Sequence, residues 1–112
     1  MTSTNSSALF SLGLARKSGV LIAGQDRVFA CLKGNKLDFV VLMASDRSDA
    51  VASTVGRVVS SRDRVIQMVD IDRYLLGRSI GLNRCQIVAL PLKEGLAEAV
   101  VRQLSEGGEA VE

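Results

Sequence analysis

Apolar positions along the chain fall into short blocks of two kinds, some repeating at helical spacing and others forming unbroken runs. Ala8–Lys17 is a stretch of good helix formers closed by Ser18-Gly19, which predicts a helix. Val20–Ala23 is a short apolar run ended by Gly24. Gln25–Lys33 predicts a second helix, with Val28 and Leu32 one turn apart and Gly34 as its stop. Phe39–Ala44 (FVVLMA) is apolar at every position, as a strand covered on both faces must be. Ser48 is placed to cap a third helix, Asp49–Ser61, whose Val51, Val55, Val58 and Val59 share one face. Val65–Val69 predicts the next strand. Asp72 is placed to cap a short helix, Arg73–Ile80, closed by Gly81, and Ile87–Leu90 predicts a further strand. Pro91 and the Leu-Lys-Glu after it open a last helix to about Leu104, with Leu96, Val100 and Leu104 on one side.

Helices that alternate with short buried strands must cover both faces of a sheet. The chain therefore predicts an α/β protein, a three-layer α/β/α sandwich. The pattern leaves strand order open and contains no internal repeat or linker. A chain of 112 residues has room for one core. The expected domain is residues 8–104, with the polar 1–7 (MTSTNSS) and the acidic, glycine-containing 105–112 as tails. No apolar run approaches the roughly 20 residues that span a bilayer. The first residues lack the basic-then-apolar order of a signal peptide, so a cytoplasmic protein is expected.

Composition removes whole classes of chemistry. The chain has no His, which excludes histidine metal sites, Ser-His-Asp triads and Cys-His pairs. Cys31 and Cys85 do not form a CxxC pair and are too few for a thiolate zinc site. They read as a buried small apolar residue and a loop thiol in a reducing cell. Neither GxxxxGK[ST] nor GxGxxG occurs, so no nucleotide-binding phosphate loop is expected. Asp70, Asp72 and Arg73 form the one compact acid–base cluster, and a helix start explains them. No catalysis, cofactor, metal or small-molecule substrate is expected. Phe10, Phe29 and Phe39 sit among apolar neighbours and read as core, which argues against base stacking.

Charge is distributed unevenly. The formal net charge is +2, yet residues 93–112 carry two basic and five acidic groups, and residues 1–92 carry twelve and seven. Ten of the fourteen basic residues are Arg, whose planar fork suits phosphates and guanine edges. Solvated surface residues would account for the same composition, so position must decide.

Three stretches carry a resemblance. They are Leu12-Gly13-Leu14-Ala15-Arg16-Lys17-Ser18-Gly19 with Leu21 and Gly24, Lys33-Gly34 through Lys36 to Ala44-Ser45-Asp46, and Leu76-Gly77-Arg78-Ser79-Ile80-Gly81. In this order the chain resembles the kink-turn RNA-binding ribosomal-protein superfamily, the large-subunit "seven-Ae/thirty-e" group, and within it the bacterial YlxQ-type branch. The resemblance runs from about Leu9 to Leu104. It implies a small mixed four-stranded sheet between helices. It also implies non-catalytic binding of structured, kink-turn-like RNA, with ribosome or ribonucleoprotein association and no membrane partner. Such proteins read a sharply bent helix through the start of the second helix and the loop before the last strand.

At those positions the resemblance points to Gly24, Gln25, Asp26 and Arg27, then Leu82, Asn83 and Arg84, with Lys17, Lys33 and Asp46 as outlying contacts. A residue without Cβ at Gly24 lets a phosphate backbone come close. The first helical turn offers unpaired N–H groups and about half a positive charge. The chain departs from the family at Asp26 and Arg27, where kink-turn readers carry Asn or Lys and then Glu or Gln. It departs again at Ala30, where a Lys is typical. Asp26 repels phosphate, or else serves as a helix-start residue; Arg27 offsets it and can fork onto guanine. Gly81-Leu82-Asn83-Arg84 resembles the Gly-Val-Ser-Arg of some eukaryotic relatives, whose Arg touches RNA. Arg16, Lys17, Lys36 and Arg78 are further candidates; Arg16 and Lys17 are equally explained as cations at a helix C-terminus, and Asp46 as a turn residue before Ser48. Arg57, Arg62 and Arg64 fall outside the expected RNA site and read as solvated surface. The expected function is RNA binding with altered or relaxed specificity. The alternative is a protein–protein adaptor that kept the fold and lost the RNA surface.

Overall fold

The computed structural model describes residues 3–34 and 36–109. Its elements in chain order are α1 (Ser3–Lys17), β1 (Ile22–Ala23), α2 (Gln25–Gly34), β2 (Phe39–Met43), α3 (Asp49–Val58), β3 (Arg64–Gln67), α4 (Arg73–Ser79), β4 (Ile87–Pro91) and α5 (Gly95–Glu109). The strands form one mixed sheet in the order β1-β4-β2-β3. β4 runs antiparallel to both β1 and β2, while β2 and β3 are parallel.

The unbroken apolar run at β2 does what its composition requires. All five residues are buried, and successive side chains enter opposite layers. Val40 and Leu42 join a cluster with Leu12 of α1, Leu76 of α4 and Val100 of α5. Phe39, Val41 and Met43 join Val28 and Leu32 of α2 and Val51 and Val55 of α3. β4 alternates in the same way, with Val88 and Leu90 on the first side and Ile87 and Ala89 on the second. The sandwich thus has α1, α4 and α5 on one face of the sheet and α2 and α3 on the other.

Both expected caps form. Ser48 Oγ accepts from the amide of Val51 at 3.2 Å, and Asp72 Oδ1 accepts from Tyr74 and Leu75 at 3.1 and 2.8 Å. Several boundaries differ from the sequence reading; Pro91, expected to open the last helix, ends β4 instead, and that helix starts at Gly95. Helix α1 begins at Ser3 instead of Ala8, and α5 continues to Glu109 past Leu104; residues 1–2 and 110–112 lie outside the described residues. Residues 7–11 (SALFS) meet α5 through Ser7 and Ser11. Ser11 Oγ lies 3.0 Å from the Gln103 amide, which, turned to donate, also reaches the Ser7 carbonyl at 3.2 Å. Helix α3 ends at Val58, short of Ser61. There Asp63 captures the amides of Ser60 and Phe39 at 2.8 and 2.9 Å, which turns the chain out of the helix toward β3.

Phe10 is the clearest correction. Phe39 is buried and Phe29 half-buried, but Phe10 is 68% exposed. The buried stripe of α1 is Ala8, Leu12 and Ala15, at helical spacing, and Phe10 falls on the opposite side. Of the two thiols it is the loop residue, Cys85, that is buried, while Cys31 on α2 is half-buried.

Candidate nucleic-acid interface

The sheet order places two distant segments together. β1 pairs with β4 through Ile22↔Ala89 and Ala23↔Val88, and the Gly24 amide extends this pairing by donating to the Ile87 carbonyl at 3.0 Å. The chain entering α2 therefore lies against the chain entering β4. Between them is a groove of about 400 Å³ lined by Gly24, Gln25, Arg73, Leu82, Arg84 and Gln86, with the buried Cys85.

One wall is the tip of α2. Gly24 has φ +93°, a conformation that L side chains rarely adopt, and a Cβ there would meet no protein atom within 4 Å. The glycine thus serves backbone conformation, and the space in front of it is open. The first intrahelical bond runs from Val28 N to the Gly24 carbonyl at 3.0 Å, so the amides of Gln25, Asp26 and Arg27 precede the helical ladder. All three side chains are exposed. Together these amides present about half a positive charge to the groove mouth.

The other wall is the loop after α4, and it is tightly held. An alanine Cβ at Gly77 would lie 2.5 Å from Arg84 Cα and 2.6 Å from its amide nitrogen, so the loop backbone rests directly on the helix. Leu82 N donates to the Gly77 carbonyl at 2.8 Å, and Cys85 N to the Arg73 carbonyl at 2.9 Å. The Cys85 thiol donates to the Ile87 carbonyl at 3.2 Å. Gln86 ties the loop to the opposite layer: its Oε1 accepts from Ser48 N at 2.6 Å, and its carbonyl accepts from Ala44 N at 2.8 Å. Arg84 and Asn83 stand exposed on this anchored turn.

Sequence reasoning missed Arg73 as a groove residue, reading it as part of the cluster of Asp70, Asp72 and Arg73 that a helix start explains. In the structure it lines the groove together with Arg84. Asp46 holds it there. Arg73 N donates to Asp46 Oδ1 at 2.8 Å, Nε to Oδ2 at 3.1 Å and Nη2 to the Asp46 carbonyl at 2.6 Å. Both carboxylate oxygens of Asp46 are thus engaged with Arg73. Partial burial works to raise the Asp46 pKa, but the hydrogen bonds and charge of Arg73 outweigh it and hold the carboxyl below the ordinary value of 3.8. A depressed pKa means the tie stabilises the fold above the ordinary value and is lost as pH falls through the lower one. In a carboxyl-detected NMR titration, Asp46 is expected to protonate below the ordinary 3.8, and Arg73→Ala to raise its midpoint by removing the side-chain hydrogen bond and charge while the backbone amide bond remains. A midpoint at or above 3.8 in the parent protein would contradict the tie.

The remaining expected residues are dispersed. Asp26 and Arg27 sit on the exposed first turn beside the groove. Lys33 is in the last turn of the same helix, about 12 Å along its axis from Gln25 at 1.5 Å per residue. Lys17 lies elsewhere, in a second groove between α1 and the end of α4. Arg62 pairs with Asp38 at 3.2 Å, and Arg57 donates to Thr54 at 3.0 Å. No described helix is long and apolar enough to cross a membrane.

No protein-family model matches the chain, and no curated protein matches it significantly. Solved structures do share its fold. It is similar to a protein of unknown function from Bacillus halodurans, with TM-score 0.71 and 20% identity over 88% of this chain and 97% of that one. It is also similar to the Giardia lamblia 15.5kD RNA binding protein, with TM-score 0.66 and 13% identity over 97% of this chain and 90% of that one. At these identities the likeness establishes the compact α/β/α fold.

Proposed function

We propose that the chain is a non-catalytic RNA-binding protein of the kink-turn superfamily, YlxQ-type branch, and that the groove between the α2 tip and the Arg84 loop is its RNA site. One observation carries this reading: two segments about sixty residues apart in sequence meet in a single open groove that presents helix-tip amides and two arginines. The three sequence motifs, the basic body of residues 1–92 and the fold shared with the Giardia RNA binding protein support it. In this account a phosphate sits at the amides of Gln25 to Arg27. Arg84 forks onto a neighbouring phosphate or a guanine edge, a good base pairing contributing about 1–3 kcal/mol, while Arg73, held by Asp46 through Nε and Nη2, offers its remaining guanidinium nitrogen to phosphate. Arg27 offsets Asp26. The partner is a structured RNA in a cytoplasmic ribosomal or other ribonucleoprotein setting.

Titration against a kink-turn duplex and an unbent control, each at two salt concentrations, tests the proposal. The bent RNA should bind more tightly, and log affinity should fall with log salt by about 0.7–0.9 for each phosphate engaged. Absence of binding to either RNA at low salt would overturn the proposal. Asp26→Asn removes a full negative charge beside a tip that supplies about half a positive one, so it should tighten binding several-fold. Unchanged affinity for this variant would place Asp26 outside the contact.

A further inference from the structure

Helix α1 carries a second apolar face that the core does not use. Phe10 and Leu14, one turn apart, are 68% and 39% exposed. With Leu9 and the Ile80-Gly81 end of α4 they line a groove of about 600 Å³. Its volume falls within the roughly 300–1,000 Å³ typical of ligand clefts. Arg16 and Lys17 stand at its rim, both exposed and neither in an ion pair with a described residue. No described carboxylate lines it. Exposed apolar side chains one turn apart beside these two cations offer a partner both apolar and charged contacts.

We propose that this groove docks a short amphipathic, acidic segment of a partner protein, with aliphatic side chains on Phe10 and Leu14 and carboxylates against Arg16 and Lys17. Charge complementarity selects the occupant. Two copies facing each other through α1 would bring cations together, because α1 carries no acidic residue; a second copy presenting its acidic α5 is separated from a partner protein by the test below. An RNA base fits poorly as well. Phe10 is the one aromatic among the lining residues, and the Ser79 hydroxyl already donates to the Leu76 carbonyl at 2.7 Å. The docking site does not depend on the RNA reading, but it adjoins the proposed RNA groove: Gly81 lines one and Leu82 the other. The partner would lie beside the bound RNA.

The probe is a fluorescent synthetic amphipathic helix with leucines on one face and glutamates on the other, titrated against the full chain by anisotropy. It should bind saturably, and at least about tenfold more tightly than the same helix with lysines for glutamates. Phe10→Ser, at an exposed position, should weaken it by a similar factor while leaving kink-turn RNA affinity unchanged. Absent or equal binding of the two helices would overturn the docking site, as would insensitivity to Phe10→Ser. A concentration-dependent dimer abolished by Phe10→Ser would point instead to self-association. Loss of RNA affinity in that variant would assign the groove to RNA. Either of those results also overturns the proposal.

Discussion

Gly77→Ala is expected to unseat the Arg84 loop. The new methyl would meet Arg84 Cα, N and C at 2.5, 2.6 and 2.8 Å, all backbone atoms that no rotamer change can move aside. Either α4 or the loop must shift, which strains the Leu82 and Cys85 amide bonds to Gly77 and Arg73. Overpacking of this kind costs about 1–3 kcal/mol or more, so urea unfolding should show a clear loss of stability. RNA affinity should fall further than stability alone explains, because Arg84 is displaced from the groove. Gly56→Ala is the matched control. It lies in helix α3 with open space around its Cβ position, and should stabilise by about 0.5–1 kcal/mol. A Gly77→Ala protein as stable as the parent would mean that the loop does not rest on α4.

Arg84→Glu should separate binding from folding. The side chain is exposed and forms no ion pair with a described residue, so the urea midpoint should move by no more than about 0.5 kcal/mol equivalent. At low salt, losing a cation and placing a carboxylate against phosphate should reduce kink-turn affinity by about 10–100-fold, corresponding to roughly 1–3 kcal/mol. The salt dependence should become shallower by about one phosphate contact. Arg64→Glu is the comparison, because β3 is the sheet edge opposite β1. The same charge change there should leave affinity nearly intact. Equal losses from both variants would indicate diffuse attraction to the whole surface instead of a groove.

Legibility in the sequence followed the range of the forces involved. β2 was readable because a strand buried on both faces must be apolar throughout. The caps at Ser48 and Asp72 were readable because capping is a contact over three residues. Strand order was not, since it depends on pairings between residues such as Val41 and Ala89. The position of Phe10 was within reach: Ala8, Leu12 and Ala15 already define a narrow stripe that excludes it. At the candidate site, the resemblance pointed to both walls of the groove but missed Arg73. Locally that residue is only the first position of a short helix. It joins the groove through Asp46, twenty-seven positions away in the chain, and no local pattern announces such a tie.

The central claim is that the α2 tip and the Arg84 loop grip one RNA together, and amide chemical-shift mapping tests it most directly. The labelled full chain would be titrated with a kink-turn RNA at low salt. The account predicts that the amides of Gly24 to Arg27 and of Leu82 to Gln86 shift along a single saturation curve, while those of β3 stay in place. Shifts confined to one of the two segments, or centred on another face of the sandwich, would contradict it.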